Sequence, residues 1–334
     1  MNIASLAILA LLLIPRLATD DPEAMTWGRD YTDAFFASEL EEIWDNLSEQ
    51  MVAAFGSLDA LEGFRTQVET QLGDESVLVS ENVQEMSGNY VYVRVARFAK
   101  FAEPIQVVWS FDGDGIVTGF QITPVQKEAP TEFLDYQTET PLRLPFEGEW
   151  FIFWGGRTLK QNYHAATVDQ RFAYDILIMR DGKTHEGDGK KNEDYYCFGL
   201  PLVAPGDGVV AAAGDGVEDN VPGQMNPKQA LGNHVILEHG NGEFSLMAHF
   251  QKGTVKVKKG DRVKAGQLLG LCGNSGNSSE PHLHYHLQTT AIPFAGKGLP
   301  VQFLDYVADG EPVARGEPVK GQVVRHAGKE GEDG

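Results

Sequence analysis

Residues 281–287 read PHLHYHL. In a β-strand, side chains at alternate positions share a face. His282, His284 and His286 then point one way, and Leu283, Tyr285 and Leu287 point the other. A strand that is polar on one face and apolar on the other belongs in a sheet with a core behind it. The whole chain holds nine histidines. Three of them within five residues on one face mark a place where imidazoles gather.

The surrounding sequence agrees with a sheet. From residue 146 onward almost no stretch keeps a helical period. PLVAPGDGVVAAAGDG (201–216) and VKVKKGDRVKAGQLLGLCGNSG (255–276) are short Val- and Leu-rich runs cut by Gly-Asp turns. They predict an all-β domain, an antiparallel sheet over 146–310. The polar stretch 311–334 reads as a flexible tail. The preceding segment, 126–145, is rich in Pro, Thr and Glu without periodicity and reads as a linker.

Further upstream the period changes. Phe36, Leu40, Ile43, Trp44, Leu47 and Met51 recur at spacings of three and four, which predicts a helix over 30–55. Ser57 caps a second helix whose buried positions are Leu61, Phe64, Val68 and Leu72, and Gly73 stops it. Strands follow at 90–99, 105–111 and 116–122, with DGDG (112–115) as the hairpin turn between the last two. Two helices followed by an antiparallel sheet give an α+β domain over 25–125. The first nineteen residues carry an apolar run, Ile3 to Ile14, closed by Pro15. That is the length of a signal-peptide core and too short to span a bilayer, so the chain is expected to be exported.

Composition narrows the partners. The net charge of -21 opposes nucleic acid and anionic membrane surfaces by Coulomb repulsion, so neither is expected as a partner. Two cysteines, Cys197 and Cys272, do not make a disulfide framework, and neither lies in a CxxC. In an exported chain they could pair.

Four of the remaining histidines lie in two segments. GNHVILEHGNGEFSLMAHF holds His234, His239 and His249, and NYHAATVDQRFAYDILIM holds His164 with Asp169 and Asp175. A hydrolytic metal needs about three protein ligands and one open position, and neutral imidazole with carboxylate suits Zn2+. A His-x-His strand supplies one ligand and one neighbouring acid–base group from the same face.

These segments together resemble the LytM/lysostaphin-type zinc endopeptidases, which cut peptide bonds in bacterial cell-wall peptidoglycan. The matching stretches are GNHVILEH (232–239), SLMAHF (245–250) and GNSGNSSEPHLH (273–284), within residues 160–290. The resemblance implies a hybrid-motif-like β fold and one zinc ion held by two histidines and an aspartate. It assigns His284 and His164 as metal ligands and His282 with His249 as the catalytic pair, with Phe250 where the family has Leu. The family spaces its ligand His and Asp four apart, but residue 168 here is Val. Asp169 lies five from His164, which on a continuous strand faces it the opposite way. Asp175 sits in an apolar strand where an unpaired carboxylate is costly, and a turn at 165–171 would bring it back to His164. Asp175 is therefore preferred over Asp169 as the third ligand.

The family pattern ends before His286, which reads as a face-mate or as a residue orienting a ligand. His239 reads as structural support, and His234 and His185 as solvated loop or strand-face residues. The inserts 181–196 and 214–231 are expected to line the rim of a peptide groove. The element order of 25–125 resembles nuclear-transport-factor-2-like accessory domains. Three other readings compete. The chain could be a degenerate relative that binds cell wall or regulates another hydrolase, which zinc content would separate. It could be a peptidase on non-wall peptides, which a digest of peptidoglycan would separate. A lipoyl- or biotinyl-type carrier domain would need a displayed lysine at a hairpin tip, and none stands there.

Overall fold

The computed structural model describes residues 7–8, 22–86 and 89–328. The expected export segment, 1–19, lies outside the described residues except for Ala7–Ile8. The chain divides into two compact units, 1–126 and 127–334. Among the described residues no helix is long and apolar enough to cross a membrane.

The first unit is α+β. Four helices, Pro22–Ala37, Leu40–Asp45, Glu49–Phe55 and Leu58–Leu72, precede the strands Glu75–Met86, Asn89–Phe98, Phe101–Phe111 and Val117–Pro124. The four strands form an antiparallel meander, and Ala7–Ile8 pairs with the last of them. Phe35, Ile43, Met51, Leu61 and Leu72 from the helices share a core with Tyr92, Trp109, Phe111 and Phe120 from the sheet. Trp109 stacks on Phe120 with ring centroids 3.8 Å apart and donates its indole N–H to Thr32 Oγ1 at 3.0 Å.

One expectation is corrected in this unit, and one strand, Glu75–Met86, joins those expected. The single helix over 30–55 is three helices. Ser38 takes a left-handed φ of 67°, and the Ser48 hydroxyl accepts from the Met51 N–H, so a new helix starts there. The apolar stripe survives because Leu40, Ile43, Leu47 and Met51 all remain buried. The strand Glu75–Met86 carries register shifts between Glu75 and Val77 and between Leu78 and Ser80. Such bulges break the two-residue alternation by which a strand is recognised. The DGDG turn forms as expected, with Asp112 Oδ1 accepting from the N–H groups of Asp114 and Ile116, both at 3.0 Å.

The second unit is a long antiparallel sheet. Its strands run, side by side, Arg262–Val263, Gly208–Gly214, Asn233–Gly240, Glu243–Phe250, Leu283–Gln288, Tyr174–Leu177, Trp150–Trp154, Val323–His326, Phe303–Ala308 and Glu311–Gly316. A two-stranded ribbon, Pro201–Val203 with Leu268–Leu271, stands beside it. Trp150, Tyr174, Phe250, Tyr285 and Phe303 fill the core. Leu283–Gln288 is buried along its whole length, as a central strand should be.

Here too two boundaries move. Residues 126–145 are not a linker. Thr138, Thr140, Leu142 and Leu144 are buried, Leu142 bridges to Phe303, and Phe146 bridges to Leu202. The run LRLPF (142–146) alternates apolar residues at a strand's period, a signal masked by the polar residues before it. The expected tail, 311–334, is corrected over its described part, 311–328. Glu311–Gly316 and Val323–His326 are sheet strands, and Val324 is buried opposite Trp150. Cys197 and Cys272 are both buried free thiols, and Cys197 donates to the Pro281 carbonyl at 3.0 Å.

Candidate metal centre

The site is assembled by strand register. His284 stands directly opposite Asp175 on the neighbouring antiparallel strand, and His284 Nδ1 lies 2.9 Å from Asp175 Oδ1. His164 arrives from a 3-10 turn, Tyr163–Ala166. The chain turns back between that turn and the strand Tyr174–Leu177, which sets His164 Nε2 3.6 Å from Asp175 Oδ2. His282, just before its strand, places Nε2 3.6 Å from Asp175 Oδ1. The His249 ring centroid is 4.8 Å from that of His282 and 5.8 Å from that of His284. Asp169 is not part of this cluster. The ligand atoms of His164, Asp175 and His284 lie within 4.8 Å of one another.

Hydrogen bonds behind the rings fix which nitrogens carry protons, because a backbone carbonyl can only accept. His249 Nδ1 is 2.7 Å from the Ser275 carbonyl, and His282 Nδ1 is 2.8 Å from the Glu280 carbonyl. Both must donate there, so each turns its Nε2 inward. His164 Nδ1 is 2.8 Å from Asn162 Oδ1. The Asn162 amide cannot be reversed, since its Nδ2 donates to the carbonyls of Gly156 and Ala173 at 3.1 and 2.9 Å. His164 therefore presents a bare Nε2. Lone pairs and a carboxylate converge, with the Tyr163 hydroxyl, 3.4 Å from Asp175 Oδ2, as a donor at the edge.

Protonation follows the same logic. Burial lowers the His164 pKa to about 3 despite the pull of Asp175, and burial, with His282 and His284 nearby, holds His249 well below its ordinary value. Burial pushes the Asp175 carboxyl up, but the surrounding rings outweigh it and the group stays anionic. With their pKa values lowered, His164 and His249 offer lone pairs beside the buried carboxylate. Two nitrogens and an oxygen are a donor set that fits Zn2+.

The support is local and specific. Asn233 is fully buried. Its Nδ2 donates to the carbonyls of Val217 and Phe250, both at 2.9 Å. Its backbone N–H donates to Ser275 Oγ at 3.0 Å. Gly232 and Gly276 sit where these loops touch. A Cβ on Gly276 would come 2.4 Å from the Gly232 nitrogen, and its φ of 84° also favours glycine. His249 itself holds φ 67°, a strained conformation of the kind found at functional positions.

The inserts expected at the rim are stitched to the same loop. Thr184 Oγ1 donates to Glu280 Oε2 at 2.9 Å, Asn274 Nδ2 donates to Asn192 Oδ1 at 2.9 Å, and Asn220 Nδ2 donates to the Gly276 carbonyl at 2.7 Å. His239 lies away from the cluster. It contacts the Asp207 carbonyl and Ser245 Oγ, each at 2.7 Å, and Ser245 continues to the Tyr285 hydroxyl at 2.9 Å. That row lies on the apolar side of the histidine strand. His234 lines a shallow groove with Val217, Leu231 and Phe294, and His185 packs against Tyr195. Asn162 and Gln288 were not singled out from sequence. Their signals were an Asn two residues before a candidate ligand, and a polar residue continuing the alternation of 282, 284 and 286.

The family model described as Peptidase family M23 matches residues 193–298. This segment is an M23 peptidase domain. It contains His249, His282 and His284, whereas His164 and Asp175 precede the matched M23 segment and reach it through the fold. Among curated relatives, the peptidoglycan DD-endopeptidase ShyA of Vibrio cholerae is 41% identical over 96 residues, 29% of this chain and 20% of the relative. The peptidoglycan DD-endopeptidase ShyC of the same organism is 39% identical over 142 residues, 41% of this chain and 29% of the relative. A metalloprotease of Buchnera aphidicola is 33% identical over 102 residues, 29% of this chain and 24% of the relative. The chain thus spans less than a third of the length of these M23-type relatives.

Proposed function

We propose that this chain is an exported zinc endopeptidase that hydrolyses peptide bonds of peptidoglycan, in stem peptides or cross-bridges, within the cell envelope. The observation that carries the reading is the inward-facing set of His164, Asp175 and His284 inside a chain with an M23 peptidase domain. The relatives named as DD-endopeptidases support the substrate. The first unit, helices followed by an antiparallel meander, serves in this reading as a nuclear-transport-factor-2-like accessory domain. Nucleic acid and membrane are not partners of so acidic a chain.

His164, Asp175 and His284 would hold one Zn2+, which supplies Lewis acidity to polarise a scissile carbonyl and acidify water. His249 and His282 flank that position and turn their Nε2 atoms toward it. Each is a base ready to take a proton from the attacking water. Once protonated, the same nitrogen donates to the developing oxyanion or to the leaving amine. The Ser275 and Glu280 carbonyls hold the two rings in the orientation this requires. His284→Ala is expected to abolish both bound zinc and activity, and His282→Ala to keep zinc and lose turnover. Equal zinc loss in both variants would sink this division of roles.

A further inference from the structure

The alternation of His282, His284 and His286 continues into Gln288, and the last three form one hydrogen-bonded row. His284 Nε2 lies 3.0 Å from His286 Nδ1, His286 Nε2 lies 3.1 Å from Gln288 Oε1, and Gln288 Nε2 lies 2.8 Å from the Thr290 carbonyl oxygen. His286 and Gln288 are 1% and 0% exposed, so water does not substitute for a mismatched partner.

The row ends on a backbone carbonyl, and that end sets its direction. Gln288 must turn its NH2 to Thr290, which leaves Oε1 to accept. His286 must then carry its proton on Nε2 and offer a lone pair from Nδ1. His284 must in turn donate from Nε2. The atom of His284 left facing the site is Nδ1, beside Asp175. Reversing the row would set two buried acceptors against each other at Gln288 and Thr290 and leave both unmet.

We propose that His286 and Gln288 are positioning residues whose hydrogen-bonded row, anchored on the Thr290 carbonyl, holds His284 with Nε2 protonated and Nδ1 turned beside Asp175 as the nitrogen that binds the metal. This rests on the reading of His284 as a ligand. Asn162 does the same for His164 in a single step. His286 is then not a fourth ligand, although it shares a face with His284. Groups behind metal-bound histidines fix tautomer and ring orientation in this way.

The direction of the row can be read without metal or substrate. Long-range nitrogen–proton correlation NMR of histidine-labelled, chelator-treated protein should show His286 protonated on Nε2 and bare on Nδ1, with a proton on His284 Nε2. A proton on His286 Nδ1 overturns the proposal. Zinc affinity, measured by competition with a chromophoric chelator, gives the second arm. His286→Gln keeps an acceptor toward His284 and a donor toward Gln288, so it should bind zinc nearly as wild type does. His286→Leu has neither and should lose about 10–100-fold in affinity. Wild-type affinity in His286→Leu overturns the positioning role. If the leucine variant does not fold, the wild-type spectrum and the glutamine variant still decide. Wild-type protein that takes up no zinc would refute the metal reading instead, and the ring tautomers would still report the row.

Discussion

Glu243 anchors the segment that composition marks as a linker, and removing it has a calculable effect. The residue is 0% exposed. Its carboxylate accepts from the Glu139 N–H at 2.7 Å, the Thr140 N–H at 2.8 Å, the Tyr136 hydroxyl at 2.9 Å and the Thr140 hydroxyl. In Glu243→Ala the hydroxyls can rotate to other partners, but the two backbone donors cannot. Each costs about 1–3 kcal/mol when left unpaired, so ~4 kcal/mol is a central value for the pair. For a unit of ~200 residues this lowers the melting midpoint by roughly 8–16 °C. Calorimetry of the full chain reads the shift, and hydrogen exchange at residues 136–140 should show protection lost there first. A midpoint within about 1 °C of wild type would refute the anchoring role, since an effect of ~4 kcal/mol could not hide there.

The same carboxylate gives a pH signature. Burial pushes the Glu243 carboxyl up, but the bonds from Thr140, Glu139 and Tyr136 outweigh it and hold its pKa below the usual value. A folded-state pKa below the unfolded one stabilises the protein above the unfolded pKa, near 4.3. That stabilisation is lost as pH falls through the lower, folded-state value. The wild-type advantage over Glu243→Ala should be full near neutrality and shrink below about pH 4. An advantage that grows on acidification contradicts the sign.

Three further outcomes follow from the site. Asp175→Asn removes a carboxylate that the site holds as the anion, so the metal-free protein should be less stable than wild type near neutral pH and zinc affinity should fall by more than ~100-fold; thermal melts in chelator and zinc titration check both signs. Saturating zinc at about one hundred times its Kd should stabilise the fold by ~2.7 kcal/mol, raising the calorimetric midpoint by roughly 5–11 °C over chelator-treated protein. Gly276→Ala meets the Gly232 backbone and a left-handed φ, so it should cost roughly 1–3 kcal/mol in denaturant melts and depress turnover further by shifting the Ser275 carbonyl that orients His249.

The sequence was most legible where chemistry and strand period coincide. The PHLHYHL alternation gave the strand, its two faces and the position of His284, because a period of two leaves one arrangement. The turn that brings Asp175 back to His164 could be read from the cost of a carboxylate in an apolar strand, even though the spacing departs from four. Boundaries were less legible. The 126–145 segment lacks apolar periodicity until Leu142, because its polar backbone is satisfied by Glu243, a residue a hundred positions later. The final strands were missed for a similar reason: Val324 is buried only because Trp150 packs opposite it. In the first unit, Ser48 capped a new helix where the apolar stripe alone would have continued the old one. The row behind His284 was hidden in the sequence, since the direction of a hydrogen bond depends on the Thr290 carbonyl and not on residue type.

In the proposed function, one zinc ion at His164, Asp175 and His284 makes this chain a peptidoglycan endopeptidase. The most direct test is to strip the purified full chain of metal, add zinc back in steps, and follow by mass the peptides released from peptidoglycan together with bound zinc. No release is expected without metal, and the rate should rise with bound zinc and level off at one ion per chain. Release that persists in the metal-free protein, or none at one bound zinc, would contradict it.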